Sequence, residues 1–139
     1  MNNGEKNKST AVGEAMERYP RVLLVDDDVV FGRMMMKVAQ REKITLTYFS
    51  SVEEVKEKLD EFKFDVAIID YFLEKTSGTQ LKEFLETQVK GVPVILISSE
   101  ASEKLSHWSG NNIISKSKGP YEILYSSFTE AAKVNQQTT

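Results

Sequence analysis

The sequence predicts an α/β domain, a doubly wound parallel sheet sandwiched between helices. Three observations carry that expectation. Short apolar runs alternate with stretches of helical periodicity five times along the chain. The runs are apolar throughout instead of alternating, so both faces of each strand need cover, as in a parallel sheet between helix layers. Each run ends in a polar residue able to handle a metal or a phosphate, and such sheets bind ligands beyond the carboxyl ends of their strands.

The elements follow in order. Val22–Leu23–Leu24–Val25 is the first strand run and ends in Asp26, Asp27 and Asp28. Phe31, Met34, Met35, Val38 and Ala39 then fall on one helix face. Ile44 to Phe49 is β-branched and aromatic, hence a strand. Ser51 and Glu54 have capping-box spacing, and Val52, Val55, Leu59 and Phe62 stripe the helix that follows. Val66–Ala67–Ile68–Ile69 is a third strand, ending at Asp70; Leu81, Phe84, Leu85 and Val89 stripe a third helix. Val94–Ile95–Leu96–Ile97 is a fourth strand, ending at Ser98 and Ser99. Ala101, Leu105 and Trp108 mark a short fourth helix, and Ile113–Ile114 a brief fifth strand ending at Lys116. Tyr121, Leu124, Phe128, Ala131 and Ala132 stripe the last helix. Residues 1–19 are polar and small and are expected to form a flexible extension; 20–134 form the domain, and 135–139 a polar tail.

Composition narrows the function classes. The 139 residues suffice for one hydrophobic core without covalent staples. A formal charge of −3 disfavours nucleic acid or an anionic membrane as main partner. With no cysteine there is no disulfide framework, thiolate nucleophile or Cys-built zinc site. No apolar run approaches membrane-spanning length, and the first residues carry no signal-peptide core, so a cytoplasmic location is expected.

The chemistry is concentrated at the strand ends. Asp26, Asp27, Asp70, Ser98 and Lys116 supply an acidic cluster, a hydroxyl and an ammonium to one sheet edge. Crowded carboxylates repel one another, and a divalent cation is the usual relief. Mg²⁺ takes oxygen ligands and commonly pairs one or two carboxylates with phosphate oxygens. An aspartate can also act as a nucleophile toward a phosphoryl group, while a lysine and a metal neutralise the equatorial oxygens. Taken singly, each residue has a plainer reading: a solvated turn for the aspartates, a surface lysine for Lys116. Asp28 is assigned as the helix cap rather than a ligand.

VLLVDDD, VAIIDYFLEKTSG, VPVILISSEA and NIISKSKGP resemble the consecutive signatures of the bacterial response-regulator receiver domain of two-component systems. The resemblance covers roughly residues 21–134. It implies a flavodoxin-like five-stranded sheet of order 2-1-3-4-5. It further implies that Asp26 and Asp27 hold Mg²⁺ and that Asp70 is the phospho-acceptor and a metal ligand. Phe72 would offer its backbone carbonyl to the metal. Ser98 would be the switch hydroxyl, Ser99 the small residue that keeps the acceptor accessible, and Lys116 the partner of the phosphoryl group. A sensor histidine kinase or phosphotransfer protein would supply the phosphoryl group. Such a domain is no turnover enzyme, since it catalyses only its own phosphotransfer and dephosphorylation. The chain ends soon after its fifth helix, so output is expected through a downstream protein target, phosphate relay or self-association.

Departures from the family pattern bear on the switch. The stretch between Ser98 and Lys116 is about one helical turn short, so a shortened fourth helix is expected, with Ser109–Gly110–Asn111–Asn112 as breakers. Ile113 stands where the usual aromatic switch residue would, three before Lys116. Ser117 replaces a proline, and Glu74 stands where another is frequent. Phe72 is bulkier than the usual side chain there and is expected to hinder the hydrolytic water, giving a slow-decaying phosphorylated form. His107 is read as exposed and non-catalytic, Trp108 as partly buried, and Met34–Met36 as helix packing and surface.

Two further readings come from other classes. A degenerate receiver acting as a constitutive binding or dimerisation module would keep the site and lose the relay. A Mg²⁺-dependent phosphatase with an aspartyl nucleophile would need a second acid two residues after the nucleophile, where Phe72 stands. A nucleotide-binding module fits worse, since no glycine-rich loop follows the first strand.

Overall fold

The computed structural model describes residues 21–99 and 112–137. The expected extension at 1–19, the shortened fourth helix, His107 and Trp108 lie outside the described residues. The strands are β1 (Arg21–Val25), β2 (Thr45–Phe49), β3 (Val66–Asp70), β4 (Val94–Ser98) and β5 (Ile113–Ser115). The helices are α1 (Val29–Arg41), α2 (Val52–Lys58), α3 (Gly78–Gln88) and α4 (Pro120–Gln137), the last being the expected fifth helix. All strand pairs are parallel, in the order β2-β1-β3-β4-β5. The fold expectation holds in class and in strand order.

Alternation along each strand divides the interior in two. Val22, Leu24, Val66, Ile68, Ile95 and Ile97 face the core shared with α1 and α4, where Met35 and Phe128 are fully buried. Leu23, Val25, Ala67, Ile69, Val94 and Leu96 face the core shared with α2 and α3, where Val55, Leu81 and Leu85 are buried. Continuous apolar runs are therefore needed, because every strand residue from Val22 to Val25 and from Val66 to Ile69 lies in an interior. Helix burial is narrower than the sequence stripes. Met34 is 46 % exposed and Tyr121 36 %, while Ile123 and Ser127 turn inward. The second helix ends early: a 3-10 turn covers Leu59–Glu61 and Phe62 is already extended. Ser51 caps α2 by accepting from the Glu54 amide. The complete capping box is found instead on α3, between Ser77 and Gln80. The last helix runs to Gln137, into the segment read from sequence as a polar tail.

The chain leaves β1 for β2 at the sheet edge and returns to β3 on the other side of β1. That switch point opens a crevice at the carboxyl ends of β1 and β3. The opposite ends of these strands are pinned by one ion pair. Arg21 donates through Nη2 to Asp65 Oδ1 at 2.8 Å and through Nε to Oδ2 at 3.0 Å, and the Arg21 amide reaches Oδ2 at 3.1 Å. The Asp65 amide returns to the Arg21 carbonyl at 2.8 Å.

The hydrogen bonds from Arg21 hold the Asp65 carboxyl below its usual pKa. A lowered folded-state pKa stabilises above the unfolded value and is lost as pH falls through the folded one. Asp65→Asn is expected to cost up to about 1 kcal/mol at pH 7, with the deficit shrinking as pH falls below about 4, as read by urea unfolding across a series of pH values.

Candidate phosphoryl and metal site

Asp26 and Asp27 follow β1 directly, and three local features fix their loop. The Asp26 amide donates to the Phe49 carbonyl at 3.2 Å, continuing the β1–β2 ladder. Asp26 Oδ1 accepts the Asp28 amide at 2.9 Å. Asp28 caps α1, accepting the Phe31 amide at 3.2 Å, so the sequence assignment of Asp28 as cap holds. Asp26 is fully buried, whereas Asp27 is exposed. Asp27 borders a small cleft also lined by Ser51, Glu53, Leu73 and Lys75.

Asp70 is the last residue of β3 and is buried at the crevice floor. Its Oδ1 accepts the Phe72 amide at 3.4 Å. Phe72 itself stands half-exposed at the rim, its ring edge-on to Tyr71 with centroids 4.8 Å apart. The helix that follows approaches very closely. A Cβ at Gly78 would lie 2.9 Å from Tyr71 Cα and closer still to the Asp70 carbonyl oxygen, so only glycine fits there. The Gly78 amide donates to the Tyr71 carbonyl at 2.8 Å.

Lys116 comes from the far side of the sheet, in the 3-10 turn that follows β5. Its ammonium lies 2.5 Å from Asp26 Oδ2 and 3.3 Å from Asp70 Oδ2. It also sits 4.7 Å from the centroid of the Phe31 ring, an attractive cation–π contact. Asp26 Oδ2 is buried and meets the Lys116 ammonium as its charged partner. Ser98 closes β4, fully buried one residue beyond Ile97, which pairs with Asp70. Ser99 is exposed just outside it.

One ammonium cannot balance three carboxylates. Burial, reinforced by the charge of Asp26, pushes the Asp70 carboxyl up to about 6 against the opposing pull of Lys116. Burial also raises Asp26, and the two carboxylates raise Lys116 despite its own burial. Asp26, Asp27 and Asp70 each offer one carboxylate oxygen, all within 4.8 Å of one another. An all-oxygen set of three carboxylates sharing one ammonium, two of them buried and one facing solvent, suits a hard divalent cation that keeps some of its waters.

The fold thus brings together Asp26, Asp27, Asp70 and Lys116, and sets Ser98 and Phe72 on the adjoining strand end and loop. Sequence reasoning assigned no site role to Phe31, Gly78 or Tyr48, whose hydroxyl donates to the Asp26 carbonyl at 2.7 Å. Phe31 was legible only as a core residue. The glycine ending VAIIDYFLEKTSG was visible, but its use depends on how closely α3 packs against β3.

Residues 22–124 match the family model for the response regulator receiver domain. The chain is 29 % identical over 107 residues to the uncharacterized transcriptional regulatory protein YbdJ of Bacillus subtilis, covering 75 % of this chain and 47 % of that one. It therefore spans about half the length of that relative. Among solved structures it resembles a CheY-like receiver domain protein from Methanospirillum hungatei, with TM-score 0.69 and 22 % identity, over 84 % of this chain and 97 % of that one. It also resembles the response regulator TrrA of Thermotoga maritima in complex with Mg(2+)-BeF, with TM-score 0.59 and 22 % identity, over 69 % and 85 % of the two chains. At that identity the solved structures support the fold alone. The family match, the sheet order and the acids at the switch point agree: this chain belongs to the response-regulator receiver domains of two-component systems.

Proposed function

We propose that the domain accepts a phosphoryl group on Asp70 with Mg²⁺ held by Asp26, Asp27 and Asp70, and signals by protein–protein contact. The observation that carries this reading is the Lys116 ammonium set between Asp26 and Asp70, beside a third acid. A carboxylate oxygen of Asp70 attacks the phosphorus of a phosphohistidine on a histidine kinase or phosphotransfer protein. The P–N bond breaks with its electron pair returning to the imidazole, and the new P–O bond leaves an acyl phosphate. Bound Mg²⁺ supplies charge neutralisation to the phosphoryl oxygens. Lys116 neutralises another oxygen, and the Ser98 hydroxyl donates to the attached group. The Phe72 carbonyl is a further metal ligand in this reading. The domain acts on itself and is not a turnover enzyme. A cytoplasmic location belongs to the same proposal; no helix among the described residues is long and apolar enough to cross a membrane.

A second reading, a constitutive binding module, is favoured by one observation. Ile113, at the position of the family's aromatic switch, is an aliphatic side chain buried in the core shared with α2 and α3. Beryllofluoride with Mg²⁺ separates the two, because only a working switch changes oligomeric state or target affinity on binding it.

Three measurements test the proposal. With Mg²⁺ and a small phosphodonor, intact mass is expected to rise by one phosphoryl group in the wild type and not in Asp70→Asn; a gain persisting in the variant removes the acceptor. Phe72→Asn is expected to shorten the lifetime of the phosphorylated form, and an unchanged lifetime contradicts the hindrance assigned to the ring. The third uses pH. Because the Asp70 carboxyl is raised in the folded protein, metal-free stability falls as pH rises from about 4 through about 6. Asp70→Asn should therefore stabilise the metal-free protein at pH 7 by about 1–3 kcal/mol in urea unfolding. Mg²⁺ affinity in the wild type should weaken below pH 6 as the proton competes for Asp70.

A further inference from the structure

We infer that Tyr48, seated in the gap left by Gly32, is a positioning residue of the metal site; this rests on the Mg²⁺ reading above. Tyr48 lies on β2 in register with Leu24, two residues before Asp26, and packs against the core shared with α1. Gly32 lies in the first turns of α1, buried, where glycine costs a helix about 1 kcal/mol relative to alanine. Space accounts for its presence. A Cβ at Gly32 would lie 2.6 and 2.7 Å from Tyr48 Cε2 and Cε1 and closer still to Cζ, so any side chain there expels the ring.

The ring alone explains packing, and phenylalanine would supply that equally well. The hydroxyl has a separate use. It donates to the Asp26 carbonyl at 2.7 Å, with the Asp28 carbonyl at 3.5 Å. The Asp26 carbonyl belongs to the peptide joining Asp26 to Asp27, so this bond fixes the plane from which both acids project. Together with the Asp26 amide on the Phe49 carbonyl, it ties the acidic loop to β2 at two successive peptides. Without the hydroxyl, the acidic loop keeps only its anchor at the peptide before Asp26, and the peptide between the two acids loses its bond to β2. The metal would then have to order the loop as it binds.

The test is Mg²⁺ titration calorimetry on wild type, Tyr48→Phe and Gly32→Ala, with autophosphorylation rates at limiting and saturating Mg²⁺ and amide NMR of Asp27 and Asp28 without metal. Tyr48→Phe should weaken Mg²⁺ binding by about three- to tenfold, the range for losing one neutral hydrogen bond. Its phosphorylation rate should fall by a similar factor at limiting Mg²⁺ and recover at saturation, and the two amide signals should shift or broaden in the metal-free protein. Gly32→Ala keeps the hydroxyl but displaces the ring, and should show the same loss of affinity. A purely packing role would lower the unfolding midpoint and leave affinity alone. Wild-type affinity, within about twofold, in either folded variant overturns the inference. Failure of the wild type itself to bind Mg²⁺ removes the Mg²⁺ reading and this inference with it.

Discussion

The site is organised around one buried ammonium facing too many carboxylates. Lys116 reaches Asp26 and Asp70 from the turn after β5, and its ammonium also lies over the Phe31 ring. At low dielectric the loss of the lysine would leave two buried carboxylates uncompensated. The arrangement nevertheless leaves net negative charge, since Asp27 makes a third acid. A folded protein that carries such an excess at its strand ends is poised to take up positive charge, as a cation or a proton. The Asp70 carboxyl is raised first by burial and then by the charge of Asp26, which favours the same uptake.

The fold serves this imbalance directly. Parallel pairing of β1 and β3 delivers Asp26 and Asp70 side by side, and the β4–β5 pairing carries Lys116 back to them. The strands themselves are secured away from the site, by apolar residues on both faces and by the Arg21–Asp65 pair at the opposite end. Close packing of Gly78 against the Asp70 carbonyl leaves the loop containing Phe72 little freedom at its root. Rigid strands with reactive groups at their ends place the chemistry where loops alone would leave it loose.

Much of this was legible in the sequence. The continuous runs VLLV, VAII and VILI require burial on both sides, and each is followed by a residue that the structure sets in or beside the site. Asp28 could be separated from its neighbours as a helix cap because its position before Val29 suits that role. Long-range neighbours were not legible. Tyr48 read as a strand residue because the value of its hydroxyl depends on β1 lying beside β2 in register. Gly32, an isolated glycine in a helical stretch, was the available signal for a close approach. Met34 and Tyr121 satisfy helical periodicity, yet the sheet covers a narrower arc than the stripe, leaving both partly in solvent.

Asp70 sits in a buried, over-acidic pocket that takes up positive charge from a metal cation or a proton. Carbon-detected NMR titration of the Asp70 carboxyl, with and without Mg²⁺, measures this directly. The expected midpoint is near 6 without metal, with the carboxyl held ionised to clearly lower pH once Mg²⁺ is bound. A midpoint at the ordinary carboxylate value, unmoved by Mg²⁺, would contradict it.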